Sequence, residues 1–454
     1  MLCKAAGSLM VAVTSRQWFR LTATLELLSE PRWMREALFF CLLVCLPAAA
    51  QEAPIPTPTA LPGSPFFIKK NWFIGGAGNW DYLALDPTAQ RLYIAHSHSV
   101  QVVDVSSGAL AGEIPGFREA HAIALDDTGT YGYVSDGPAA AVAVFDRRML
   151  SVSATIPIGC SPRSIAFEPS SRLVFAVCGA NVANPRPPRP HGRETPVQPA
   201  PEGISHIIVI NADKNVVLID MTVAGDFRFA QADGAGQVYI TVGEVQQTIE
   251  QNGHATRQLY PRRIAQLDGP AIAAEATRRQ SAQSQPSPDE PLHIDWSPNA
   301  DSGSFLHFFR LPDRCSNPQG LAVDSRNLRL FAACDNQQLL VLNSRTGDLV
   351  TSLITGPGSD VVGYDADRNL IYSANGAGYG SLTIIRQSAN SDTYAIIQNL
   401  PTLARARTLA IDPSTGNVYL VTDYMGVDLT PRGGFGTIKP VPIAGSFQVL
   451  VVGH

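Results

Sequence analysis

From His121 to Gly159 the chain alternates short apolar runs with polar turns: HAIAL, DDTGT, GYVSD, GPAA, AVAVFD, RRML and SVSATIPIG. The runs are rich in Val, Ile, Ala and aromatics, and Gly, Asp or Pro bounds each one. That pattern predicts four short strands of an up-and-down antiparallel sheet. A single four-stranded sheet leaves one apolar face uncovered, so neighbours of the same kind are required.

The neighbours are copies of the same unit. Seven apolar runs end in an acid: YLALD (82–86), AIALD (122–126), SIAFE (164–168), FAQAD (229–233), GLAVD (320–324), VVGYD (361–365) and TLAID (408–412). Each is followed by a turn and a second run with an aromatic inside it, from RLYIAH (91–96) through LVFAVC (173–178) to NVYLVT (417–422). Four of the six spacings between the acids are 40 to 47 residues, and the other two, 65 and 91, hold insertions. A period near 40 is that of a propeller blade, and an irregular sandwich would not keep seven copies in register. The last copy lacks a fourth strand, while FFIKKNWFIGG (66–76) stands unassigned before the first. Pairing the two closes the ring and removes its open edges. The expectation is an all-β, seven-bladed β-propeller over 66–454, with four-stranded antiparallel blades and insertions at 181–203, 244–262, 269–303 and 424–442.

The second runs Tyr-Ile-Ala-His (93–96), Tyr-Val-Ser-Asp (133–136) and Tyr-Ser-Ala-Asn (372–375) resemble the signature of the YVTN-repeat bacterial propellers. SATIPIG (153–159) and TSLITG (351–356) are similar to the end of that family's repeat. The resemblance covers nearly the whole chain after residue 50 and implies the fold. It implies less about function, because the family includes surface-layer proteins, periplasmic binding proteins and, more distantly, lactonases.

Ahead of the repeats, residues 34–50 (MREALFFCLLVCLPAAA) have the layout of a cleavable signal peptide, with cleavage expected after Ala50. Residues 1–33 read as an upstream extension from a mis-assigned start, and 51–65 as a Pro-rich linker. The apolar run is short for a membrane span, so none is expected after cleavage. Beyond residue 50 the chain carries 29 basic and 36 acidic residues, net −7, which argues against a nucleic-acid surface. Four cysteines fall outside the leader, and Cys160 with Cys178, and Cys315 with Cys334, occupy matching hairpin points of two copies. In an exported chain they are expected as two disulfides, and a metal site would need cysteines from distant copies to converge.

The turns between first and second strands are short, whereas three of the four insertions belong to the opposite face, where binding loops sit on such scaffolds. Five residues before each repeat acid stand Asp81, His121, Arg163, Arg228, Gln319, Asp360 and Arg407. All are polar and begin the innermost strands, so they are expected to ring the channel mouth on the elaborated face. His96, Asp136, Cys178, Cys334 and Asn375 end second strands and form a partial second ring. Three Arg and one His against two Asp leave the first ring neutral to positive, and Arg forks suit carboxylate or phosphate. His121 is expected near Asp136, as a rim His held by an acid or as a general base. His96-Ser-His98 offers two imidazoles but no further metal ligands.

The expected function is therefore an exported, periplasmic or secreted, monomeric binding protein, taking a small anionic or carboxylated molecule at the mouth, or a protein partner on the long-loop face. No cofactor and no metal are expected. Two alternatives stand: a lactonase-like hydrolase using His121, Asp136, Arg163, Arg228 and Arg407, and a cell-surface interaction scaffold.

Overall fold

A computed structural model describes residues 66–454 apart from 77, 181–202, 252–253, 283–290, 297–304, 389–391 and 429–438. The expected extension, signal peptide and linker, and nearly all of the 181–203 insertion, lie outside the described residues.

The fold is an all-β propeller whose blades have about four antiparallel strands in sequence order. Copy five is typical: Pro318–Asp324, Arg329–Cys334, Gln338–Asn343 and Leu349–Ile354 pair one after another from the channel outward. The repeat acid has a local cause. Ala89 N–H donates to Asp86 Oδ1, Thr130 N–H to Asp126 Oδ1, Ser171 N–H to Glu168 Oε2 and Ser414 N–H to Asp412 Oδ1. Each acid satisfies turn amides that no strand can reach. The aromatic inside each second strand is core: Tyr93, Tyr133, Phe175, Tyr239, Phe331, Tyr372 and Tyr419 are all at most 3% exposed.

The blade count differs from the expectation. The described hydrogen bonds build six large sheets rather than seven, because copies one and two share one six-stranded sheet. The chain does not break between them. Leu110–Leu125 is one strand whose first half pairs back on copy one (Val100↔Ile114) and whose second half pairs forward (Ile123↔Val134). Ser97↔Ala120 stitches the two halves together. Closure follows the reading of the ends: Phe67–Phe73 pairs antiparallel with Gln448–Gly453, as the outermost strand of the last sheet.

Both disulfides form, with Cα separations of 6.0 Å for Cys160–Cys178 and 5.4 Å for Cys315–Cys334. The insertions on the elaborated face extend as ribbons, Val245–Gln251 with His254–Tyr260 and Met425–Asp428 with Lys439–Pro442. The insertion at 269–303 starts as the helix Gly269–Ala282. Asp268 caps it by accepting from Ala271 N–H at 2.8 Å, and Ile272 and Ala276 enter the core. Its start lies against the short turns, where Gly269 N–H donates to Gly236 O. Further along the insertion, Leu292–Trp296 adds a fifth strand, parallel to Val216–Ala224 of copy three. The apolar alternation of Leu292, Ile294 and Trp296 is the signal for that strand.

Candidate functional site

The seven residues expected at the mouth begin seven inner segments, and one residue from each segment (Tyr82, Ala122, Ser164, Phe229, Ala322, Val361 and Leu409) reaches a common cavity of about 300 Å³. Tyr82 and Phe229 belong to copies one and four, which are not neighbours in chain order. Their rings nevertheless stand 5.4 Å apart, so they meet across the channel and floor the mouth, and the cavity runs from them toward the repeat acids, to Val323, Tyr364 and Ile411, with none of the seven mouth residues in its lining. Burial, together with the Asp81 and Asp360 carboxylates above it, pushes the Tyr82 hydroxyl pKa far up and keeps it neutral.

Above this floor the ring is laced by ion pairs. His121 Nδ1 lies 2.9 Å from Asp81 Oδ2, and Arg407 Nε 3.1 Å from Asp360 Oδ2. Arg228 bonds Asp226 Oδ2 through Nε at 2.8 Å, and the Gln319 amide donates to Asp335 Oδ1 at 2.7 Å. Asp226 and Asp335 were not among the expected residues. Asp226 stands two positions before Arg228, on the same side of the strand, and that period of two was the available signal. With them the ring holds four acids against three Arg and one His, which corrects the neutral-to-positive reading. Arg163 is the exception: it is exposed, and among the described residues no carboxylate pairs with it. A Cβ at Gly179 would lie 3.0 Å from Phe227 O and 3.2 Å from Asp226 Oδ1, so glycine there lets the next inner segment approach closely.

The groups sense one another. Burial raises the Asp360 pKa, Arg407 opposes this, and Asp81 and Asp335 add to it. The hydrogen bond to Asp81 raises the His121 pKa, against burial and Arg163. A raised His pKa stabilises the fold fully below the unfolded value of 6.5, and the gain is lost as pH rises through the folded value. Asp81→Asn is therefore expected to flatten the melting temperature across that window. A pH series of thermal melts measures it, and an unchanged slope would remove the pair from the account.

The second ring does not face the mouth. His96 is 3% exposed and stacks on Phe447 at 4.4 Å, and burial lowers its pKa. Asp136 does not meet His121. It is buried and accepts from Arg118 N–H at 2.8 Å and Glu119 N–H at 3.1 Å. Cys178 and Cys334 are disulfide-bonded, and buried Asn375 donates to Ser381 Oγ and Thr383 Oγ1. These groups complete strand ends, because a buried polar terminus needs a partner more than a ligand does. Among the described residues no three His, Cys, Asp or Glu are grouped to hold a metal, and no helix is long and apolar enough to cross a membrane.

No protein-family model and no curated protein sequence matches the chain. Solved structures do resemble it. The WD40 repeats of RRP9 superpose with a TM-score of 0.55 at 10% identity, covering 87% of this chain and 99% of that one. U3-55K gives 0.54 at 10% identity, covering 83% and 97%. At such identities the likeness shows the propeller and nothing about what is bound.

Proposed function

We propose that the chain is an extracytoplasmic binding protein whose channel mouth takes a small molecule bearing a carboxylate. Arg163 carries the reading: it is the ring cation without an acid partner, exposed at the mouth on the side of the Tyr82 and Phe229 rings where the inner segments begin. A carboxylate on Arg163 leaves Asp81, Asp335 and Asp360 to accept from donors elsewhere on the same ligand. Two disulfides are compatible with an oxidising compartment, in keeping with a signal peptide at 34–50. The YVTN-repeat resemblance belongs to the same proposal.

A hydrolase of the lactonase kind is the second reading. It is favoured by the His121–Asp81 pair, in which the acid orients the imidazole as a general base needs. It loses Asp136 from its cluster.

Thermal shift against organic acids, amino acids, lactones and phosphates tests both. Arg163→Ala is expected to weaken a carboxylate hit about 10- to 100-fold, the worth of one charge-assisted hydrogen bond, and to leave the unliganded melting temperature unchanged. A hit that ignores Arg163→Ala would overturn the binding site. Turnover of a lactone, abolished in His121→Asn, would select the hydrolase.

A further inference from the structure

A cleft of about 860 Å³ lies away from the mouth, between copies four and five on the short-turn face. Two other junctions of the same ring show what can fill such a place. The residue at the end of the third strand donates its N–H to the residue just before the second strand: Arg147 to Thr130 O, Ser344 to Leu328 O and Gln387 to Asn369 O, and, with no polar side chain, Val105 to Gln90 O, Ala212 to Arg172 O and Gly269 to Gly236 O. Arg147, Ser344 and Gln387 therefore occupy equivalent places. Between copies one and two, the Arg147 guanidinium reaches back to the repeat acid Asp86 and also bonds Asp126 Oδ1 at 3.2 Å. Between copies five and six, the Gln387 amide donates to the repeat acid Asp324 Oδ2 at 3.0 Å. Between copies four and five the residue is Ser344, too short to reach, and the junction is hollow.

The acid that would receive such a group is present. Asp233 uses Oδ1 for the turn amides of Ala235 and Gln237, at 2.8 and 2.9 Å, and among the described residues no cation or side-chain amide bonds it. The rest of the wall is rich in acceptors. The Gln266 amide donates to Gln237 Oε1 at 2.9 Å, which leaves Gln266 Oε1 without a donor among the described residues. Tyr239 OH makes only a 3.4 Å contact to Ser344 O and a 3.5 Å contact from Gln266. Unmet acceptors around a carboxylate suit a planar group with several N–H donors.

We propose that this cleft binds a guanidinium-bearing ligand, whose head takes against Asp233 the place that Arg147 takes against Asp86. The volume accommodates a drug-sized molecule or an extended side chain with its flanking backbone. Arg345 is exposed and lines the cleft, where its charge opposes a bound cation, so Arg345→Ala is expected to tighten binding.

Calorimetric titration of the full chain with agmatine, and separately with the tripeptide Gly-Arg-Gly, tests the proposal. Binding of at least one is expected. Agmatine points to a free small molecule, and the peptide alone to an arginine of a protein partner. Asp233→Asn keeps the Oδ1 turn acceptor and is expected to weaken binding at least about tenfold, within the range of one charged hydrogen bond. Ser344→Arg is expected to abolish binding and raise the melting temperature, because it supplies the missing group in cis. Arg163→Ala should leave agmatine binding unchanged, which separates this cleft from the mouth. Binding of neither probe, or binding that survives both Asp233→Asn and Ser344→Arg, overturns the proposal.

Discussion

Arg147→Leu is expected to cost the folded chain about 3–5 kcal/mol, the range for breaking a buried ion pair by removing one partner. Arg147 is 6% exposed, and the two acids it joins, Asp86 and Asp126, are each 6% exposed. Its Nη1 also donates to Asp126 O at 3.0 Å, and Arg91 Nη1 donates to Arg147 O at 2.7 Å. Leucine restores the apolar volume but leaves two carboxylates without a cation in a place water does not reach. The loss is therefore electrostatic rather than steric. Adding Asp86→Asn and Asp126→Asn to Arg147→Leu should recover most of it, since Asn keeps the turn acceptors and carries no charge. Urea unfolding of the single and triple variants decides between the two causes. A triple variant no more stable than the single would mean that packing of the guanidinium, not its charge, matters.

Removing the closing strand is expected to have a larger effect still. A chain beginning at Gly75 loses Phe67–Phe73 and every bond it makes to Gln448–Gly453, from Phe67↔Gly453 to Phe73↔Gln448. It also loses Phe66, fully buried and set edge-on to Tyr372 at 6.1 Å. The strand Gln448–Gly453 would then present an unpaired row of amides and carbonyls beside an uncovered apolar strip, the arrangement that drives edge-to-edge association. The cost is comparable with the whole stability of a domain, about 5–15 kcal/mol. Aggregates or strand-exchanged dimers are expected on gel filtration, with loss of the near-ultraviolet signal of packed aromatics. A synthetic peptide of residues 66–76 should restore a monomer in part. A truncated chain that melts cooperatively near the intact one would show that the ring does not depend on its closure.

The fold was legible because each copy repeats its reasons. An acid is needed at every short turn, an aromatic in every second strand, and a hairpin brings Cys160 to Cys178. Those are local demands, so sequence spacing carries them. The fused sheet was not legible, because Leu110–Leu125 reads equally well as two strands or as one. Nothing in REAHAIAL marks whether the ladder pauses. At the site, the ring positions could be found by counting from the acids, yet their partners could not. His121 lies nearer in sequence to Asp136 but bonds Asp81, 40 residues away, because the starts of adjacent inner segments converge on the channel while strand ends turn outward into the backbone. Asp335 was hidden for a similar reason. It follows a disulfide cysteine and faces Gln319 only once the copy is folded.

The parallel strand Leu292–Trp296 sets a timetable. Its partner, Val216–Ala224, is synthesised some 70 residues earlier, and between them the ribosome must deliver three strands of the next copy and a helix. Copy three therefore emerges complete in its four strands but with its outer border still open. It is sealed only when its successor is more than half made and the chain doubles back. Two adjacent units thus mature together rather than in turn, and an interruption of synthesis inside 269–291 would strand the earlier unit with its border bare.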